Sequence, residues 1–377
     1  MPDRLVIIFH LPPLDGDPPL SRTLAEARDA LVEHHIAMFN RAGADRVMAL
    51  PGRDPTGPRR ESFGERLARL VRDEHVSGGL VVLGDGAVPL LRPSDAGRLL
   101  ETAGSSRREA LTNNRYSSDV CAIADARALL TLAPLPTDNA LPRWLEERAG
   151  YVVRELAGRD RLALDVDTPL DVALVALARG APPTIRRVAR AHGLKVPHLD
   201  ALRELAADPR RELLVAGRSG SRTLRWLERN VRCRVRFLAE ERELRTSSPL
   251  AIGPPTAQTT ALRARPPRSS LGRLLHALGP GALGEIVAEL ADGALIDTRV
   301  LLADRLGADE GAWPSPEDRY ASDLLRATGI ADPWLHDLTA SVARAALPIV
   351  LGGHTLVSPG VPLILGARRP GRATTLR

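Results

Sequence analysis

A chain of 377 residues, 44% hydrophobic and without an apolar run long enough to span a bilayer, has room for two globular cores. Its net charge of +6 comes almost wholly from arginines interspersed with 46 acids (Lys195 is the sole lysine), and aromatics are 3%. That pattern argues against a nucleic-acid surface and suits a phosphate-bearing small molecule. Two distant cysteines, Cys121 and Cys233, fit buried reduced thiols and a cytoplasmic location.

The first residues carry one short apolar run followed by prolines and acids, which predicts an edge-on first β-strand at Leu5 to Phe9 rather than a signal peptide. Ser21 is placed to cap a helix from about Arg22 to Arg41, with Leu24, Ala27, Leu31 and Met38 on one face. A strand at Arg46 to Leu50, a Pro/Gly/Arg loop from Pro51 to Arg60 and a helix from Phe63 to Arg72 follow. A third strand, Leu80 to Leu83, closes on Gly84-Asp85-Gly86. Cys121 to Ala124 lies after a turn-rich segment, Thr112 to Asp119; Trp144 to Ala149 is helical and Tyr151 to Glu155 extended. Arg161 to Val166 alternates like a strand, and Leu170 to Leu177 has helical spacing after Pro169. Alternating strands and helices predict an α/β fold, a mostly parallel, doubly wound sheet over residues 1–180.

Residues 181–377 read as a second α/β, helix-rich unit. Ile185 to His192 is helical, Leu213 to Ala216 is a strand, Thr223 to Asn230 a helix and Arg234 to Leu238 a strand. Residues 249–270 are a Pro-, Ser- and Arg-rich loop or linker, and the remainder is mostly helical up to a buried strand before Gly352-Gly353-His354. Two short echoes connect the halves: Asp85-Gly86-Ala87 with Asp292-Gly293-Ala294, and Arg115-Tyr116-Ser117-Ser118-Asp119 with Arg319-Tyr320-Ala321-Ser322-Asp323. If they record a duplication, Tyr116 and Tyr320 fall on equivalent elements.

The chemistry concentrates at the ends of these strands. Asp165 and Asp167 are two apart on an extended segment and point to one face at its carboxyl end, where open α/β sheets bind ligands. A structural account competes for the same residues: Thr168 as N-cap, Pro169 as first helical residue and Asp171 as a favourable first-turn charge. Asp85 follows another apolar strand, so two strands would present carboxylates side by side, a seat for Mg2+. Gly217-Arg218-Ser219-Gly220-Ser221-Arg222 lies between a strand and a helix, the context of a phosphate-cradling loop. Gly217, Gly220 and Arg222 are its candidate phosphate contacts; an arginine-decorated turn capped by Ser221 or Thr223 is the competing reading.

Gly84-Asp85 followed by Pro89-Leu90-Leu91, then Thr112-Asn113, then Asp165-Val166-Asp167-Thr168-Pro169-Leu170-Asp171 resembles the order found in nucleotidyltransferases of the glycosyltransferase-A type. Proteins similar to the molybdenum-cofactor nucleotidyltransferases and the phospholactate guanylyltransferases carry this arrangement. The resemblance covers about residues 1–180 and implies a nucleotide-diphospho-sugar transferase-like sheet. By that resemblance Asp85 and Asp167 hold Mg2+ with Asp165 beside them, and Thr112 and Asn113 line the substrate side. Arg115 is placed to contact phosphate or the acceptor's acid group. The family's Gly-rich phosphate loop and the lysine after it are absent here, and His10 to Leu20 carries four prolines and two acids instead.

The expected function is therefore Mg2+-dependent transfer of a nucleotidyl group from an NTP, GTP or CTP, to a small phosphorylated acceptor with release of pyrophosphate. Two alternatives share the fold: a non-catalytic nucleotide- or partner-binding protein, and a glycosyltransferase using a nucleotide-sugar.

Overall fold

The computed structural model describes residues 4–51, 61–132, 135, 138–240, 267–307 and 309–366. The expected linker therefore falls outside the described residues up to position 266, as does most of the 51–60 loop.

Six strands form the first sheet: β1 (Arg4–His10), β2 (Arg46–Pro51), β3 (Gly79–Gly84), β4 (Glu109–Thr112), β5 (Val120–Ile123) and β6 (Val152–Glu155). Their order is β2-β1-β3-β5-β4-β6, parallel except for β5, which runs against both neighbours. The first strand is thus internal, not at an edge. Leu5, Ile7 and Phe9 enter one core while Val6 and Ile8 enter the opposite one. A strand covered on both faces needs this unbroken apolar run.

The helices here are α1 (Pro19–Arg41), α2 (Phe63–Asp73), α3 (Pro93–Ala103), α4 (Leu141–Glu147), the short α5 (Arg159–Leu162) and α6 (Pro169–Leu177). Helix α1 departs from the expected cap. Pro18 occupies the N-cap position, and Glu317, from the far half of the chain, accepts hydrogen bonds from the amides of Leu20 (2.9 Å) and Ser21 (3.0 Å) and from Ser21 Oγ (3.0 Å). A carboxylate at a helix start satisfies orphan amides and favours the dipole.

The strand predicted over Arg161 to Val166 does not form. Arg161 is drawn inward to Asp95 and the carbonyl of Leu90, which winds Arg159–Leu162 into one helical turn. Beyond it Leu164 to Val166 is extended but touches its neighbour through a single antiparallel bridge, Asp165 to Ala87.

The second sheet is built from β7 (Glu212–Gly217), β8 (Arg234–Ala239), β9 (Gly293–Asp297) and β10 (Ile349–Gly352), all parallel in the order β10-β9-β7-β8. Helices α7 (Pro183–Ala191) and α8 (Leu199–Ala207) precede it, and α9 (Ser221–Asn230) joins β7 to β8. Strand β9 interrupts a stretch expected to be helical. Leu213 and Val215 pack with Leu295, Val350 and the Leu24, Ala27 and Leu31 stripe of α1, whereas Leu214 and Ala216 face another core. One apolar cluster therefore runs from α1 and α6 onto the second sheet.

The order β8-β7-β9 parallels β2-β1-β3. The sequence echoes do not follow it. Tyr116 lies in the exposed turn between β4 and β5, while Tyr320 lies in the helix Pro316–Asp323. Asp85-Gly86-Ala87 follows β3, while Asp292 precedes β9 and Gly293-Ala294 open it. The repeats thus sit on non-equivalent elements, and the duplication inferred from them is withdrawn. Among the described residues no helix is long and apolar enough to cross a membrane.

Candidate site at the carboxyl end of the first sheet

Phe9 and Gly84 are register partners, so His10 and Asp85 leave the sheet side by side. Asp85 accepts from the Leu11 amide (3.0 Å) and lies 3.2 Å from His10 Nδ1, whose ring meets Asp29 with its other nitrogen at 2.8 Å. Helix α1 then delivers Arg28 onto this pair. Its Nε lies 3.6 Å from Asp85 Oδ1 and donates to the carbonyl of Val166 (3.0 Å); its Nη2 donates to Asp167 Oδ1 at 3.2 Å. The result is a continuous charge chain, Asp29–His10–Asp85–Arg28–Asp167. Burial alone would lower the Arg28 pKa, but Asp85, then Asp167 and Asp165, hold it above its ordinary value.

The structure thus brings Asp85 and Asp167 together and places a guanidinium between them. Arg28 joins the candidate site although it belongs to none of the sequence motifs. Its signal is present in the sequence: it sits on the same apolar stripe as Leu24, Ala27 and Leu31, where a lone charge needs a buried partner.

Asp165 is turned back onto the chain, its Oδ1 accepting from the amide of Val166 at 2.9 Å. Burial first, then the charges of Asp167 and Asp119, raise its pKa well above the carboxylate range. The segment lies directly on Gly86: a Cβ there would stand 2.6 Å from the Val166 carbonyl oxygen and 3.0 Å from Asp165 Oδ1. Gly86→Ala is expected to push residues 165–167 outward and cost about 1–3 kcal/mol, measurable by denaturant unfolding.

Thr112 and Asn113 are buried and used internally. Thr112 Oγ1 lies 2.9 Å from Ser118 Oγ. Asn113 Nδ2 donates to Asp119 (2.6 Å) and to the carbonyl of Leu162 (2.8 Å), and its oxygen accepts from the amides of Asp119 and Val120. Asn113 therefore clips the β4–β5 turn to the chain entering the Asp165 segment. Arg115 is held by Glu146 and the carbonyl of Val153. Two acids outside the motifs, Asp119 and Asp138, border a small cavity with Phe9, Phe63 and Leu141. Burial pushes Asp138 up to about 6 and raises Asp119 further, against the Asn113 hydrogen bond, with Asp167 adding to both.

Thr168 does cap α6, accepting from the amide of Asp171 at 3.2 Å, with Pro169 behind it. Asp171 is not an exposed first-turn charge. It is 2% exposed, accepts from Thr168 Oγ1 and the Asp167 amide on Oδ2, and has no partner for Oδ1. Burial, then Asp167 and Asp323, push its pKa up to about 8. A folded-state pKa above the unfolded value means that folding takes up a proton, so the stability from this group falls as pH rises between about 4 and about 8. Asp171→Asn cannot lose that proton. It is expected to gain about 1–3 kcal/mol over the parent at pH 8.5 relative to pH 5, read from urea unfolding at both values.

The loop of the second sheet is differently arranged. Gly217 adopts φ +129 and packs so tightly that a Cβ would meet Asp297 Cβ at 2.2 Å. Arg218 donates to Asp297 through Nε at 2.7 Å and Nη2 at 3.2 Å. Gly220 is the N-cap of α9, and Arg222 reaches Asp160 at 3.3 Å. A carboxylate, Asp297, already sits against this loop.

Asp165 faces its own backbone, Arg28 separates Asp85 from Asp167, and among the described residues there is no group of three or more His, Cys, Asp or Glu side chains placed to hold a metal. No protein-family model matches the chain, and no curated protein matches it.

Proposed function

We propose that this chain is a nucleotide-binding protein on a nucleotidyltransferase-like sheet, in which Arg28 takes the charge-neutralising place that Mg2+ has in the enzymes it resembles. The observation carrying this reading is the bridge from Arg28 to Asp85 and Asp167. A guanidinium supplies a fixed charge and directed hydrogen-bond donors where a divalent ion would supply charge and octahedral coordination. The ligand is a GTP- or CTP-like nucleotide, bound without turnover. Thermal melts with each NTP test it, since a ligand that binds only the folded state raises Tm. The expected result is stabilisation by one nucleotide that is the same in EDTA and in Mg2+, with no pyrophosphate formed. Stabilisation that requires Mg2+ contradicts it.

A second reading is nucleotidyl transfer to a small phosphorylated acceptor. It is favoured by the convergence of Asp85 and Asp167 and by the crowding of Asp119, Asp138 and Asp165, whose mutual repulsion invites a cation. Under it, Mg2+-dependent pyrophosphate release appears in the parent and disappears in Asp167→Ala.

A further inference from the structure

A concavity lies away from the acidic chain, between α6, α7, α8 and the loop joining the last two. It encloses about 600 Å3, within the range of small-molecule sites. Its apolar wall includes Ala176 and Leu177 of α6, Ala189 of α7, and Leu194 and Val196 of the loop. Alanines where helices face one another leave the space unfilled, and Leu177 remains 37% exposed at the edge.

The rim is cationic. Arg190 and Lys195 border the groove, both exposed, against one acid, Asp200, which lies 3.8 Å from Arg203. Arg186 is spent elsewhere, donating to the carbonyls of Ala178 (2.7 Å) and Arg179 (2.9 Å) and so fixing the end of α6. Lys195 is the only lysine in a chain otherwise built on arginine. His198 holds φ +52, a left-handed conformation that a β-carbon disfavours and that persists only where surrounding structure dictates it.

We propose that this groove binds a small amphipathic anion, with a hydrocarbon or aromatic body against α6 and α7 and a single carboxylate or phosphate head held by Lys195 and Arg190. The apolar wall selects the body and the excess of cations selects the sign of the head. A head group of opposite sign meets the same apolar wall but the wrong rim.

The lone lysine makes the test specific, because selective 15N-lysine labelling yields one side-chain ammonium resonance. Decanoate and decyl phosphate, below their micellar concentrations, are expected to shift that resonance saturably, whichever head binds better identifying the natural source. Decyltrimethylammonium is expected to leave it unmoved. Isothermal titration of decanoate should weaken at least about tenfold in Arg190→Glu/Lys195→Glu, two exposed positions whose replacement spares the core. Ala176→Phe, which fills the wall, should abolish binding while far-ultraviolet circular dichroism stays unchanged. Non-saturable shifts, equal binding of the cationic amphiphile, or unchanged affinity in the double variant would overturn the proposal.

Discussion

Replacing Arg28 with methionine is expected to destabilise the protein by about 2–4 kcal/mol at pH 8, because it leaves Asp85 largely buried and facing Asp167 with no cation between them. Lysine at this position should rescue little, since one ammonium cannot bridge two carboxylates and the Val166 carbonyl as a planar guanidinium does. The same variant should gain affinity for divalent cations, the charge vacancy now matching what Mg2+ supplies. Urea unfolding of the parent and both variants at pH 8, repeated with and without Mg2+, reads all three effects.

Arg299→Leu is expected to cost still more, about 3–5 kcal/mol. Asp323 is fully buried, and both terminal nitrogens of Arg299 bind it, Nη2 at 2.7 Å. Burial already raises the pKa of Asp323 against the pull of Arg299, and removing the arginine removes that opposition. The variant must then carry a proton on Asp323 that the unfolded chain has lost, so its deficit should widen as pH rises from 5 to 8. The double variant Arg299→Leu/Asp323→Leu should recover most of the stability, since two apolar side chains replace a buried ion pair at little net cost. A double variant as unstable as Arg299→Leu alone would show that the pair shapes the backbone around it.

Both networks meet at α6. Asp171, on its first turn, feels Asp167 on one side and Asp323 with Arg299 on the other. Tyr320 feels Arg28, Arg319 and Arg299. The carboxyl end of the first sheet and the buried ion pair of the second therefore share one electrostatic neighbourhood, and the contact of Glu317 with the start of α1 ties the same two parts together.

The strands β1, β2, β3 and β7 are legible in the sequence because each is an apolar run bounded by Gly, Pro or Asp with helical spacing after it, and β8 because Val235 and Phe237 alternate with arginines. Strand β9 is not, since Gly293–Asp297 is five residues set among helices and its local pattern equals that of a buried helical turn. The segment before Asp165 alternates like a strand, yet Arg161 belongs to a buried pair with Asp95, a tertiary demand invisible locally. The candidate site divides in the same way. That Asp85 and Asp167 both reach one site follows from the motif order, although only Asp85 directly follows a strand. That Thr112 and Asn113 point inward does not, because residue type and spacing carry no information on which face of a turn is covered.

Titration of the parent protein with Mn2+, followed by electron paramagnetic resonance, tests most directly whether Arg28 has taken the place of the metal. The signal of the hydrated ion is expected to remain undiminished up to about 1 mM, because Arg28 already bridges Asp85 and Asp167. A stoichiometric, saturable loss of that signal, absent in Asp85→Asn and Asp167→Asn, would contradict the account and restore the metal to this site.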